Sequence, residues 1–148
     1  MTGRALSVNN VTKIRVLFAD TDAMGVVYHT NYIKWFELGR NELMRQLGVP
    51  YSELTKLNLN LPLIKVGCEY LKFATYDQLL AVETEFAYIR KATVGFNSKI
   101  WDEDQKHLLA EGYTVHACTN HEGKLRRIPQ LLLELVKKYN INTEEAYG

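Results

Sequence analysis

From Leu61 to Asn120 the chain is written almost wholly in β-forming runs, and a single long helical stripe precedes them. "LPLIKVGCEYLK", "LLAVETEFAYI", "ATVGFNSKIWD" and "HLLAEGYTVHACTN" follow one another across short polar turns such as "DEDQK". In the second run Leu80, Val82, Thr84, Phe86 and Tyr88 share one face and Glu83 and Glu85 take the other, by simple alternation. Upstream, Tyr32, Phe36, Gly39, Leu43 and Leu47 form one stripe of an α-helix. Gly39 there costs about 1 kcal/mol of helix propensity, which suggests close approach to a neighbouring surface. Gly48 and Pro50 end that helix. The expected class is α+β, one curved antiparallel sheet wrapped over one dominant helix. One helix cannot cover both faces of such a sheet, so a homo-oligomer is expected.

The remaining elements are smaller. "KIRVLFA", Lys13 to Ala19, reads as a leading strand, and residues 1–10 as a loose arm. Ser52 is a candidate N-cap for a short turn at "YSELTKL". Pro129 suits the first turn of a closing helix, "PQLLLELVKKYN". No repeat or linker interrupts the 148 residues, so a single domain over 1–148 is expected.

Charge narrows the function. The formal net charge is +1 and charged residues make up 24% of the chain, which gives no electrostatic reason to expect nucleic acid. No apolar run reaches the roughly 18 residues of a spanning helix, and "MTGRALSVNN" is too polar for a secretory signal. A cytoplasmic protein without membrane insertion is expected. Cys68 and Cys118 stand fifty positions apart with no C-x-x-C, so reduced, buried thiols are expected and a metal site is not. His107, His116 and His121 lie at no useful mutual spacing and read as structural or exposed.

Chemistry concentrates in "FADTDAMGVVYHTNYIKWFELGR", Phe18 to Arg40. Asp20 and Asp22 precede Gly25, where the backbone must turn tightly or a ligand must come close. "GVVYHTNY" then begins helical structure, whose first N–H groups lack internal partners. Such a start favours negative charge, including an oxyanion formed on a carbonyl. A carboxylate beside free amides is the pair that acyl hydrolysis needs. Each residue also has a plain structural role open to it. One aspartate can cap the turn, His29 can bond a carbonyl, Asn31 can act as a cap, and Glu37 can pair with Arg40 along the helix. The three serines, Ser7, Ser52 and Ser98, lie in no G-x-S-x-G, and neither cysteine sits in a nucleophile signature. A hydrolase built from this chain would use a carboxylate or an activated water.

The string D-x-D-x-x-G-V-V-Y-H-x-x-Y, followed by an aromatic, Glu and Arg, resembles the signature of the 4-hydroxybenzoyl-CoA thioesterase-like branch of hotdog-fold proteins. Within that branch it is most similar to the Tol-Pal-associated acyl-CoA thioesterases, and the resemblance covers about residues 12–139. It implies a long central helix wrapped by a curved antiparallel sheet. It also implies edge-to-edge dimers that pair into tetramers, with active sites between subunits. It gives Asp22 the role of nucleophile or general base. The helix start at Gly25, Val26 and His29 becomes the oxyanion hole, with the His29 imidazole assisting. Arg90 and Lys91 become the residues that meet coenzyme A phosphates, with Arg126 and Arg127 as a weaker alternative. Asn31, Glu37 and Phe18 are supporting positions. Phe18 departs from the Tol-Pal-associated enzymes, which carry a tyrosine there, and so lacks a phenol that some mechanisms use, though other members of the wider family manage without it.

The function expected is hydrolysis of an acyl-CoA to a free carboxylic acid and coenzyme A, with no cofactor. An acyl-CoA or acyl carrier protein binding scaffold is the alternative, and a hotdog dehydratase a third reading. Tyr32, Trp35, Phe36, Tyr70 and Phe73 serve equally as acyl-pocket or core residues.

Overall fold

A computed structural model describes residues 8–144. The elements run β1 (Asn9–Arg15), a 3-10 turn (Phe18–Asp20), α1 (Thr30–Gln46), α2 (Tyr51–Lys56), β2 (Leu63–Tyr70), β3 (Leu79–Ile89), β4 (Thr93–Asp102), β5 (Leu108–Ala117) and α3 (Gln130–Tyr139). Among the described residues the strands form one antiparallel sheet in the order β1-β3-β4-β5-β2. This is the α+β arrangement expected, with α1 packed chiefly against β3 and β1.

Two core clusters share α1. Tyr32, Trp35 and Phe36 pack with Val16, Leu80, Val82 and Ile100 at its first half. Leu43 and Met44 pack with Phe86, Phe96, Cys118, Leu132 and Leu135 at its second half. Gly39 lies between the two. A methyl group there would overlap Thr84 Oγ1 and stand 2.9 Å from Val82 Cγ1. The glycine in the stripe therefore lets the helix sit directly on β3, and its propensity cost is offset by that contact.

Several local expectations change. β1 begins at Asn9 and ends at Arg15, four residues earlier at each end than "KIRVLFA". Asn9 and Asn10 pair with Glu85 and Thr84, so they belong to the sheet and not to an arm. Residues 1–7 of that arm lie outside the described residues. The chain leaves the strand because the Asp20 carboxylate accepts the Leu17 N–H at 2.8 Å and closes a 3-10 turn. Ser52 is the second residue of α2 and caps nothing; Pro50 holds the N-cap position. Pro129 likewise sits at the N-cap of α3, one position before the first turn. Tyr88 is the largest change. A bulge at Ala87 shifts the register so that Phe86 faces Phe96 but Tyr88 faces Gly95. The inserted residue moves the tyrosine to the opposite face. There it occupies the space that a Cβ at Gly95 would take.

Candidate active site

The loop between β1 and α1 is held by Asp20. Its carboxylate accepts from Leu17 N–H and lies 3.1 Å from Lys34 Nζ. Its backbone carbonyl accepts from Tyr28 N–H at 2.9 Å and from Asn31 Nδ2 at 2.8 Å. Only 4% of the residue is exposed. Of the two aspartates this is the inward one, and every acceptor it has is engaged in positioning the loop. Asn31 ties the first turn of α1 to that hub and does not cap the helix.

Beyond Asp20 the chain makes a small two-stranded ladder. Thr21 pairs with Val27, Asp22 N–H donates to Val26 O at 2.9 Å, and Gly25 N–H donates to Asp22 O at 3.0 Å. Gly25 has φ +80°, the conformation that favours glycine at this tip. Asp22 is exposed at the tip. Its Oδ1 accepts Met24 N–H at 2.8 Å, and its other oxygen has no hydrogen-bond donor among the described residues.

Helix α1 starts later than the sequence suggested. Gly25 and Val26 belong to the hairpin tip, and the Gly25 N–H is already used, so neither stands at a helix start. The orphan donors lie at His29, the N-cap position, and Thr30. Neither N–H has an acceptor among the described residues. The helix has no side-chain cap, so these donors remain open. The His29 carbonyl is fixed from the sheet by the Tyr70 hydroxyl at 2.9 Å. The Tyr70 ring stands edge-on to the imidazole at 6.3 Å. Partial desolvation of a ring that is still exposed at its rim, and then the neighbouring Cys68 thiol, push the Tyr70 phenol up to about 12, so it stays protonated and donates. No hydrogen bond joins the Asp22 carboxylate to His29, because the ladder puts one at its tip and the other beyond its base.

The aromatic residues sort cleanly. Tyr32, Trp35 and Phe36 are core, and Phe73 and Tyr70 are exposed. Phe18 is 76% exposed, with its ring edge-on to Tyr76 at 5.7 Å. Glu37 is exposed and makes no ion pair with Arg40, although the two stand one helical turn apart.

Arg90 and Lys91 occupy the β3–β4 turn, which is pinned by Arg90 N–H to Thr93 O and by Ile128 N–H to Lys91 O. They line a cleft of about 550 Å³ together with Arg127, Gln130 and Lys137. Arg127 thus joins the pair, while Arg126 bonds back to the Leu125 carbonyl. Lys137 was missed. Its signal in the sequence was a basic residue in the last turn of α3, which looks like ordinary dipole compensation. This basic cleft sits at the far end of β3 from the Asp22 loop, and at about 3.3 Å per residue the strand spans roughly 30 Å. One chain does not bring the two together.

Other polar groups are structural. Both ring nitrogens of His116 are engaged, Nδ1–H donating to Leu61 O and Nε2 accepting from Thr114 Oγ1. His107 pairs with Asp102 at 2.7 Å at the β4–β5 turn. Cys68 and Cys118 are free thiols. Among the described residues no group of three or more His, Cys, Asp or Glu stands close enough to hold a metal.

Known proteins agree with this architecture. The thioesterase-like superfamily profile matches residues 16–136. The acyl-CoA thioesterase YbgC of Haemophilus influenzae is 32% identical over 116 residues, which is 78% of this chain and 83% of that protein. The crystal structure of a hypothetical protein from Aquifex aeolicus superposes with a TM-score of 0.79 at 33% identity, over 85% of this chain and 98% of that one. A 1,4-dihydroxy-2-naphthoyl-CoA thioesterase from Synechocystis gives 0.81 at 19% identity, over 90% and 98%. At that identity the likeness speaks to the hotdog fold alone. On the match over residues 16–136 and the shared identity with YbgC, this chain belongs to the thioesterase-like superfamily.

Proposed function

We propose that the protein hydrolyses an acyl-CoA thioester to a free carboxylic acid and coenzyme A. One observation carries this reading. An exposed carboxylate with one uncommitted oxygen, Asp22, shares a rigidly held loop with two unpaired N–H groups at the start of α1. The family and the YbgC relative's name supply the class of reaction.

Asp22 attacks the thioester carbonyl carbon, or takes a proton from a water that does. The carbonyl oxygen becomes an oxyanion, and the His29 N–H donates to it, aided by the helix dipole. Collapse of the tetrahedral intermediate breaks the carbon–sulfur bond and releases coenzyme A thiolate, which takes a proton. With Asp22 as nucleophile a mixed anhydride remains, and water hydrolyses it to the acid and the free carboxylate. An oxyanion donor of this kind is worth about 3–4 kcal/mol in other hydrolases.

The complete site is shared between copies. Arg90, Lys91, Arg127 and Lys137 are the cationic set for the phosphates of coenzyme A, and their distance from Asp22 in one chain requires a partner to supply one half. The free edge of β2, with Leu63, Ile64, Val66 and Tyr70 exposed, is the surface for pairing. A dimer of dimers satisfies both the edge and the open sheet face.

A thiol-release assay over short, long, branched and aryl acyl-CoAs tests the activity. Asp22→Ala is expected to lower turnover at least about a thousandfold with unchanged thermal stability. Full activity in that variant removes Asp22 from the mechanism. In single turnover in heavy-oxygen water, label in Asp22 assigns it as the nucleophile, because only water that opens a mixed anhydride at the aspartyl carbon can place it there. Tight acyl-CoA binding without thiol release would favour a carrier role instead.

A further inference from the structure

A second cleft, of about 520 Å³, opens between α1 and the start of β2. One wall is apolar, made by Ile33, Leu61 and Leu63. The other carries Arg40, Tyr51 and His116. Arg40 is the unusual member. The guanidinium lies over the Phe96 ring, 5.9 Å from its centre, which occupies its face and leaves its N–H edges to find acceptors. None of the hydrogen bonds and ion pairs among the described residues includes it. Glu37 is near enough to favour the charge but forms no ion pair with it. Burial opposes the charge, and so draws it toward any anion that can enter.

The rest of the polar lining is mixed: Glu37 is an acid that stands near Arg40 without pairing with it, Lys34 and Asn41 also line the cleft, and Tyr51 and His116 bring no negative charge. The Tyr51 hydroxyl accepts from Leu61 N–H at 2.9 Å, so its own proton is free to point into the cleft. His116 is neutral, with both nitrogens satisfied, and offers no acceptor. A forked cation and a phenol beside an apolar wall match a carboxylate on a hydrocarbon body, which the guanidinium can hold through two N–H groups. We infer that the Arg40 cleft binds the carboxylate of an apolar acid. This goes beyond the proposed hydrolysis, in which Arg40 takes no part.

The carboxylate has two sources, a free acid such as a hydrolysis product or the distal carboxylate of a dicarboxylic acyl group. Calorimetric titration of the full chain with octanoate and with octanol, its neutral counterpart, tests the site without turnover. Octanoate is expected to bind at least about tenfold more tightly. Arg40→Met is expected to erase that preference and Tyr51→Phe to reduce it. Equal binding of octanoate and octanol overturns the inference. So does an octanoate affinity that both variants leave unchanged. If Arg40→Met does not fold, Tyr51→Phe and the octanoate–octanol comparison on the wild type still decide. A third overturning result is that octanoate never binds while Arg40→Met changes the mass of the oligomer, since the cation then serves a subunit contact. Kinetics separate the sources. A lower KM for octanedioyl-CoA than for octanoyl-CoA, lost in Arg40→Met, assigns the site to the substrate's far end. Equal KM values with inhibition by octanoate assign it to free acid. Failure of hydrolysis on every acyl-CoA thioester, with octanoate still bound, would count against the proposed activity and not against this site.

Discussion

The two edges of the sheet are built from different side chains. The β1 edge carries Asn9, Asn10, Lys13 and Arg15, and its cations are tied down. Lys13 reaches the Glu103 carbonyl, and Arg15 bonds the Asp77 carbonyl at 2.6 Å. The β2 edge exposes Leu63, Ile64, Val66 and Tyr70. An edge strand is a template for another chain unless charge or cover blunts it. Charge blunts the first edge, whereas the second, although it also carries Lys65 and Glu69, keeps four exposed apolar side chains, and this difference supports β2 as the seam in the proposed pairing of copies. In the proposed two-part site, pairing along β2 would have to bring one copy's Asp22 loop toward another copy's basic cleft.

The most damaging test of that contrast places charge on the apolar edge. Ile64→Lys combined with Val66→Lys sets like charges against each other across a two-fold seam. Light scattering is expected to show a fall in mass to that of one chain, and thiol release from acyl-CoA a fall to background. Retention of the oligomer with full turnover would refute β2 as the seam.

Acid should act on the same edge more gently. His116 Nδ1–H donates to the carbonyl of Leu61, two residues ahead of β2. Burial first, and Arg40 second, push this imidazole down to about 4 from an ordinary value of 6.5. Between those values the unfolded chain binds a proton that the folded chain does not. Stability is therefore full above pH 6.5 and is lost as pH falls from there toward 4, by about 3 kcal/mol. Urea unfolding across that range should show the slope, and His116→Gln should remove it. A wild type whose stability is flat from pH 7 to 4 would contradict the buried, neutral imidazole.

On the β1 side the readout changes from mass to stability. Ile14 is half-buried against the cluster of Val16, Trp35 and Leu80. Ile14→Ala is expected to lower unfolding free energy by about 1–2 kcal/mol with the mass unaltered. A dissociated Ile14→Ala variant would mean that β1 also carries the assembly.

The fold was legible beforehand; which edge stays apolar was not. The stripe from Tyr32 to Leu47 and the long strands fixed the class, because periodicity over many residues outweighs any single position. The loop was harder. Periodicity says nothing about which of two aspartates turns inward, and that was decided by Lys34, fourteen positions away, and by the amides of Leu17 and Tyr28. The helix start slipped from Gly25 to His29 because the ladder of Thr21 with Val27 is a pairing that strand propensity over so few residues cannot announce. Tyr88 was misplaced for a similar reason. A bulge adds one residue without changing composition, so strict alternation carries the wrong face past it. The basic cleft assembles from the β3–β4 turn, the segment before α3 and α3 itself. Its fourth member, Lys137, became visible only when the fold brought the three together.

The smallest effect is the most discriminating control. Val11 is exposed at the middle of β1, opposite Glu83 of β3. Val11→Lys adds one of the two lysine charges that disrupt β2, on a strand of similar length and at a position about as exposed as Val66. If edges were interchangeable, both substitutions would dissociate the protein. On the β1 edge the new lysine shares a face with Lys13 and stands opposite Glu83, and an opposite charge directly across a strand pair is mildly favourable. Stability is expected to stay within about 0.5 kcal/mol of the wild type, with mass and turnover unchanged. A loss of mass in Val11→Lys equal to that of the β2 variant would show that charge alone, wherever it is placed, drives the copies apart, and the distinction between the two edges would fail.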